Sequence, residues 1–188
     1  MGHRGTHDGE NPMNPDDSLR RFLASHCRAF APARYLEIGT REGDSLRVVV
    51  ENSHGLARIV CCDTWGGEWG GTGRGGHAHI DAMLATMLYD GDAAYLDGDS
   101  KVTVPTLDEQ FDLVLVDGDH SAEGGRADLD NVLPLVAKGG CVVFHDIAHP
   151  AHPYLLEVWR QWCSDHEDLI GATQIITEGH GLGIAIRS

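Results

Sequence analysis

Two runs in this sequence carry the residue types of acid–base or metal chemistry. Asp117-Gly118-Asp119-His120 sets a carboxylate three residues before an imidazole, and His145-Asp146 pairs the same two groups. An imidazole titrates near neutrality and can take a proton from a hydroxyl. Carboxylates at neighbouring strand ends are what Mg²⁺ prefers, whereas histidine suits a transition metal better. A third stretch, Tyr35-Leu36-Glu37-Ile38-Gly39-Thr40-Arg41-Glu42-Gly43, runs from apolar residues into a glutamate and two glycines. Glycine lets backbone come close to a ligand, and a helix that follows points free N–H groups at the same place.

These residues need a scaffold that gathers them. The apolar runs Ala33–Ile38, Ala57–Cys62, Ala93–Leu96, Phe111–Val116 and Cys141–Phe144 read as strands; the first carries Glu37 at its end, and each of the others is followed by an acidic residue or a His-Asp pair. Helical patterns separate them at Gly43–Ser53, His77–Tyr89 and Ala122–Ala137, with Lys138-Gly139-Gly140 as the exit of the last. Another helix, Leu19–Phe30, precedes the first strand, and one from Pro153 to about Asp165 follows the fifth. The end of the chain reads as two strands, Leu169–Ile176 and Leu182–Ile186, joined by the hairpin turn Glu178-Gly179-His180-Gly181. Alternating apolar strands and helices call for a parallel sheet covered on both faces. Ligands bind such sheets at the carboxyl ends of the strands, where the acids lie.

With 188 residues, the chain suits one domain over 16–188, preceded by a polar flexible tail over 1–15. A net charge of −15 sets the chain against the phosphate backbone of nucleic acid and against an acidic membrane surface, so neither is an expected partner. No apolar run approaches a membrane span, no signal peptide is visible, and the five cysteines contain no C-x-x-C. A cytoplasmic protein with reduced, buried cysteines is expected. Seven of the eleven residues Gly66–Gly76 are glycine, and with Trp65 and Trp69 they make a candidate lid. His149, His152, His166 and His180 show no ligand spacing and read as surface or loop residues.

In their order and spacing, Glu37–Gly43, Asp63, Asp99-Ser100, Asp117–His120 and Val143–Asp146 resemble a class I S-adenosylmethionine-dependent methyltransferase. The nearer resemblance is to the small-molecule O-methyltransferase group that includes cephalosporin-hydroxylase-like and macrolide-sugar enzymes. The run Val116–Gly124 with Asp128-Leu129 is its most specific part, and the match spans about Ala33 to Asp146. The resemblance implies an α/β, Rossmann-like three-layer sandwich. Its seven-stranded sheet would be mostly parallel, with an antiparallel last strand.

It also implies roles. The Gly39 backbone, with Thr40 beside it, would approach the amino-acid part of S-adenosylmethionine, and Glu37 would support that region. Asp63 would accept the ribose hydroxyls, with Thr64 and Trp65 alongside, and Asp99 and Ser100 would read the adenine. Asp117 would serve both cofactor and catalysis, with His120 as base for a small hydroxylated acceptor. Metal-dependent relatives place one acid after strand four and an acidic pair after strand five. The corresponding set here is Asp117, His145 and Asp146, for Mg²⁺ or another divalent metal, and His145 departs from the pattern. Whether the protein forms a homo-oligomer stays open.

Two other readings remain. A nucleotide-dependent oxidoreductase would need a phosphate-cradling Gly-x-Gly-x-x-Gly, whereas this turn reads Glu-x-Gly-x-x-x-Gly. A non-catalytic cofactor-binding protein would keep the pocket without turnover. Asp117, His120 and Asp146 favour catalysis.

Overall fold

The structure is a computed structural model that describes residues 17–66 and 75–188. The expected tail over 1–15 and most of the glycine-rich segment, Trp69 included, lie outside the described residues. Helix α1 (Asp17–Phe30) leads into β1 (Arg34–Ile38), α2 (Asp44–Asn52), β2 (Arg58–Asp63), α3 (His77–Thr86) and β3 (Asp92–Asp97). A short α4 (Ser100–Thr103) precedes β4 (Phe111–Val116), α5 (Ala122–Val132), β5 (Val136–His145) and α6 (Leu155–Asp165). The hairpin of β6 (Ile170–Ile176) and β7 (Leu182–Arg187) completes the chain.

The strands form one seven-stranded sheet in the order β3-β2-β1-β4-β5-β7-β6. β1 to β5 pair in parallel, and β7 runs antiparallel to both β5 and β6. The expected sheet, with its antiparallel last strand, is the one found. Successive side chains on a strand face opposite sides, and the sequence is apolar on both. Leu36, Val60, Val114, Val116, Val142 and Phe144 are buried on one face with Leu129 of α5 and Trp159 of α6. Tyr35, Ile59, Cys61, Leu113, Leu115 and Val143 are buried on the other with Leu23, Leu46 and Ile80. All five cysteines are free, and all but Cys163 are buried.

The boundary that differs most from expectation is the one between α5 and β5. β5 begins at Val136, so Lys138-Gly139-Gly140 lies inside the strand and α5 stops at Val132. The β4–β5 register jumps between Phe111 and Leu113, from Val136 to Cys141. Gly139 at φ +77° absorbs the irregularity, which local composition reads as a helix exit.

The strand order fixes where a ligand can sit. From β1 the chain moves outward through β2 to β3, then returns to β4 on the other side of β1. Ile38 and Val116 are register partners, so Gly39 and Asp117 leave the sheet side by side at this reversal.

Candidate active site

A cleft of about 840 Å³ opens at the carboxyl ends of the strands. Glu37, Gly39, Thr40, Asp63, Thr64, Asp99, Ser100 and Asp117 all line it, as do His120, His145 and Asp146. Trp65 does not line it. Its indole N–H donates to Asp97 Oδ1 at 2.9 Å, and its ring meets the edges of His77 and Tyr95 at 5.4 and 6.1 Å. Trp65, expected beside the cofactor, is held in this aromatic group by Asp97 and the two rings.

The turn after β1 is held by main chain. The Gly39 N–H donates to the Cys62 carbonyl at 2.8 Å, and the Asp117 N–H donates to the Ile38 carbonyl at 2.9 Å. Gly39 sits at φ +88°, and a Cβ there would lie 2.0 Å from the Asp117 carbonyl oxygen. Glycine is required so that β1 and β4 can close on each other. Asp63 braces the same turn: Oδ2 accepts the Arg41 N–H and Oδ1 the Trp65 N–H, both at 2.7 Å. Each oxygen keeps a lone pair for a ligand hydroxyl. Gly43 caps α2 without a side-chain hydrogen bond, leaving the first-turn N–H groups beside the cleft-lining Asp44 and Ser45.

Glu37 is 1% exposed, and its Oε2 has no hydrogen-bond partner. Burial first, then the charge of Asp117, push its carboxyl well above the usual range. A buried acid of this kind suits a cationic ligand group, whose charge would favour the carboxylate. Asp99 caps α4 by accepting the Lys101 N–H at 2.9 Å, so the turn-forming residue has a structural task and still lines the cleft. Ser100 donates to the buried Asp128 Oδ1 at 2.6 Å. Burial lifts Asp128 to about 6 against that hydrogen bond.

The far side of the cleft is built from imidazoles and two carboxylates. His120 Nε2 lies 3.4 Å from Asp117 Oδ1 and 3.3 Å from Asp146 Oδ2. His145 Nδ1 lies 3.1 Å from Asp117 Oδ1. Burial works against ionisation of Asp117, yet His145 and His120 outweigh it and hold its carboxyl far below the usual range. Hydrogen bonding to Asp117 outweighs burial at His120 and raises its pKa. The Tyr154 hydroxyl donates to the His120 carbonyl at 2.9 Å, tying the start of α6 to this loop.

The histidines set aside as loop residues come in here. His149, His152 and His180 all line the cleft. Among the described residues, two groups have metal-ligand spacing: His120, Asp146 and His152, and His145, Asp146 and His180. Asp117, expected as a ligand, stands outside both groups and meets His120 and His145 instead. A close pair such as His149 and His152 was visible in sequence after His145-Asp146. His180 gave no signal, because strand pairing brings it in. His166 lies elsewhere, its Nδ1 2.9 Å from the Trp162 carbonyl.

A family profile described as "Methyltransferase domain" matches residues 36–147. No curated protein sequence matches the chain. Among solved structures, the S-adenosylhomocysteine-bound methyltransferase PaMTH1 of Podospora anserina is 16% identical, with a TM-score of 0.67 over 94% of this chain and 83% of its own. The O-methyltransferase TomG of Streptomyces achromogenes, in complex with S-adenosylmethionine, is 20% identical, with a TM-score of 0.65 over 91% and 80%. CalS11, a TDP-rhamnose 3′-O-methyltransferase of calicheamicin biosynthesis, is 20% identical, with a TM-score of 0.62 over 90% and 76%. These likenesses bear on the fold. The profile covers well over half of the chain, from within β1 to just past Asp146, and so spans the strand ends that build the cleft. The chain therefore belongs to the methyltransferase-domain family.

Proposed function

We propose that the protein transfers the methyl group of S-adenosylmethionine to a hydroxyl oxygen of a small molecule. The observation that carries this is Glu37, a buried carboxyl group with an unpartnered oxygen on the wall of an acid-lined cleft. S-adenosylmethionine has no phosphate and carries an amino group and a sulfonium, so it fits this wall. A dinucleotide pyrophosphate would meet Glu37, Asp63, Asp99 and Asp117 instead of a phosphate cradle. S-adenosylmethionine supplies an electrophilic methyl on its sulfonium sulfur. The open N–H groups of α2 would take its carboxylate, Glu37 its amino group and Asp63 its ribose hydroxyls.

On the acceptor side, His120 is the base. Its imidazole takes the acceptor hydroxyl proton, and Asp117 and Asp146, both facing Nε2, stabilise the imidazolium that results. A divalent cation held by His145 and Asp146 would lower the pKa of that hydroxyl and fix its oxygen. Acceptor recognition falls to α1, through the cleft-lining Leu19 and Arg20, and to the segment after Asp146 with His152 and Tyr154. O-methyltransferases such as TomG and CalS11, which share the fold, support a hydroxylated acceptor. Among the described residues no helix is long and apolar enough to cross a membrane, which is compatible with a cytoplasmic setting.

The test is labelled-methyl transfer from S-adenosylmethionine to a panel of phenols, catechols and sugar hydroxyls. We expect O-methylation of at least one acceptor, and a loss of about 10²–10⁴-fold in His120→Ala. Methylation confined to nitrogen or carbon, or equal rates for the two proteins, would contradict the reading.

A further inference from the structure

We infer that His145, Asp146 and His180 form a site for a borderline divalent cation of the zinc–cobalt class, with the β6–β7 hairpin supplying one ligand. This site deepens the O-methylation reading and rests on it for the purpose the cation would serve.

The spacing is that of ligands around one ion. One donor atom from each of the three residues lies within 4.8 Å of the others. The Asp146 side chain is 8% exposed, and its Oδ1 accepts no hydrogen bond, although His145 Nδ1 and His180 Nδ1 each lie 3.4 Å away. A hydrogen bond would draw such a pair to about 2.7–3.2 Å. Two donors each about 2.1 Å from a tetrahedral ion stand roughly 3.4 Å apart, and His145 Nδ1 would exchange its 3.1 Å contact with Asp117 for the ion.

The backbone delivers His180 to this place. In the β5–β7 ladder, His145 is the partner of Leu182, so the hairpin turn lies just beyond the end of β5. The Ala148 N–H donates to the His180 carbonyl at 2.7 Å. Gly181, at φ +82°, packs so tightly that a Cβ would lie 2.6 Å from the Ala148 Cβ. The His149 ring then meets the His180 ring edge-on at 4.2 Å. Backbone and side chain together hold the imidazole against Asp146.

The donor set chooses the ion. Two imidazoles and one carboxylate favour Zn²⁺, Co²⁺ and their neighbours, while Mg²⁺ demands oxygen. Three protein ligands are the usual complement of a site that keeps a position for water or substrate. The other group, His120 and His152, shares Asp146 through Oδ2, 3.3 Å from His120 Nε2. An ion on the Oδ1 side leaves His120 for proton transfer.

The experiment titrates metal-stripped protein with CoCl₂, following visible absorption and calorimetry, with MgCl₂ as the comparison. The expected result is a Co²⁺ site roughly 100-fold tighter than Mg²⁺. His180→Ala weakens it by about tenfold or more, with unchanged thermal unfolding, while His152→Ala leaves it within about twofold. Co²⁺ no tighter than Mg²⁺, or weakened by His152→Ala and not by His180→Ala, would overturn the site. S-adenosylhomocysteine binding, measured on the same samples without metal, reports on the cofactor reading separately.

Discussion

The two halves of the cleft are held in different ways. At the ends of β1 and β2 the wall is braced by main chain: Gly39 and Asp117 donate to neighbouring carbonyls, and Asp63 takes two backbone N–H groups. At the ends of β4, β5 and β7 it is a group of side chains, with His120, His145 and His180 all set against Asp146. Main-chain bracing gives a rigid seat for a ligand that does not change. Side-chain contacts can rearrange as a proton moves or an ion binds. The cofactor half should therefore fail through backbone substitutions that cost stability, and the acceptor half through side-chain substitutions that cost turnover.

The largest effect is expected at Gly39. An alanine there combines a left-handed φ with a Cβ 2.0 Å from the Asp117 carbonyl oxygen. Gly39→Ala should lose roughly 3–5 kcal/mol in denaturant unfolding. Gly55 has φ +84° but nothing within 4 Å, so Gly55→Ala should cost only about 1–2 kcal/mol. Equal losses would mean that strain alone, and not the β1–β4 closure, makes the glycine necessary.

On the other half, His120→Ala should lower turnover by about 10²–10⁴-fold and leave cofactor affinity within about threefold. A parallel loss of affinity would erase the division between the halves.

Asp128, beneath Ser100 on the cofactor side, predicts a pH effect. Its folded pKa is raised to about 6, so the native state holds the proton more tightly than the unfolded chain. The stabilisation is full below about pH 4 and is lost as pH rises through about 6. The swing is about 3 kcal/mol for a shift of this size. Asp128→Asn should flatten unfolding free energy across that window, and an unchanged slope would assign the titration to another group.

Trp65 should matter least. Its indole bonds Asp97 away from the cleft wall, so Trp65→Phe should weaken cofactor binding by less than about tenfold, the worth of one hydrogen bond. A larger loss would return Trp65 to the cofactor seat.

The same division explains what the sequence made legible. A main-chain turn needs particular residues next to each other, so Glu37–Gly43 and Asp63 could be read directly. The central strands β1, β2, β4 and β5 were visible because both faces of the sheet are apolar there. The β5 start was missed because Gly139-Gly140 looks like a helix exit, and only the pairing with β4 makes it strand. His180 stands far along the chain from His145 and joins it through the antiparallel β5–β7 register. No local spacing records that contact, and so the side-chain half was the less legible.

Calorimetric titration of the protein with S-adenosylhomocysteine, beside Asp63→Ala and Glu37→Gln, tests the central claim most directly. Binding of one ligand per chain, weakened at least about tenfold in each variant, is the predicted result. No binding by the unaltered protein, or binding indifferent to both substitutions, would contradict it.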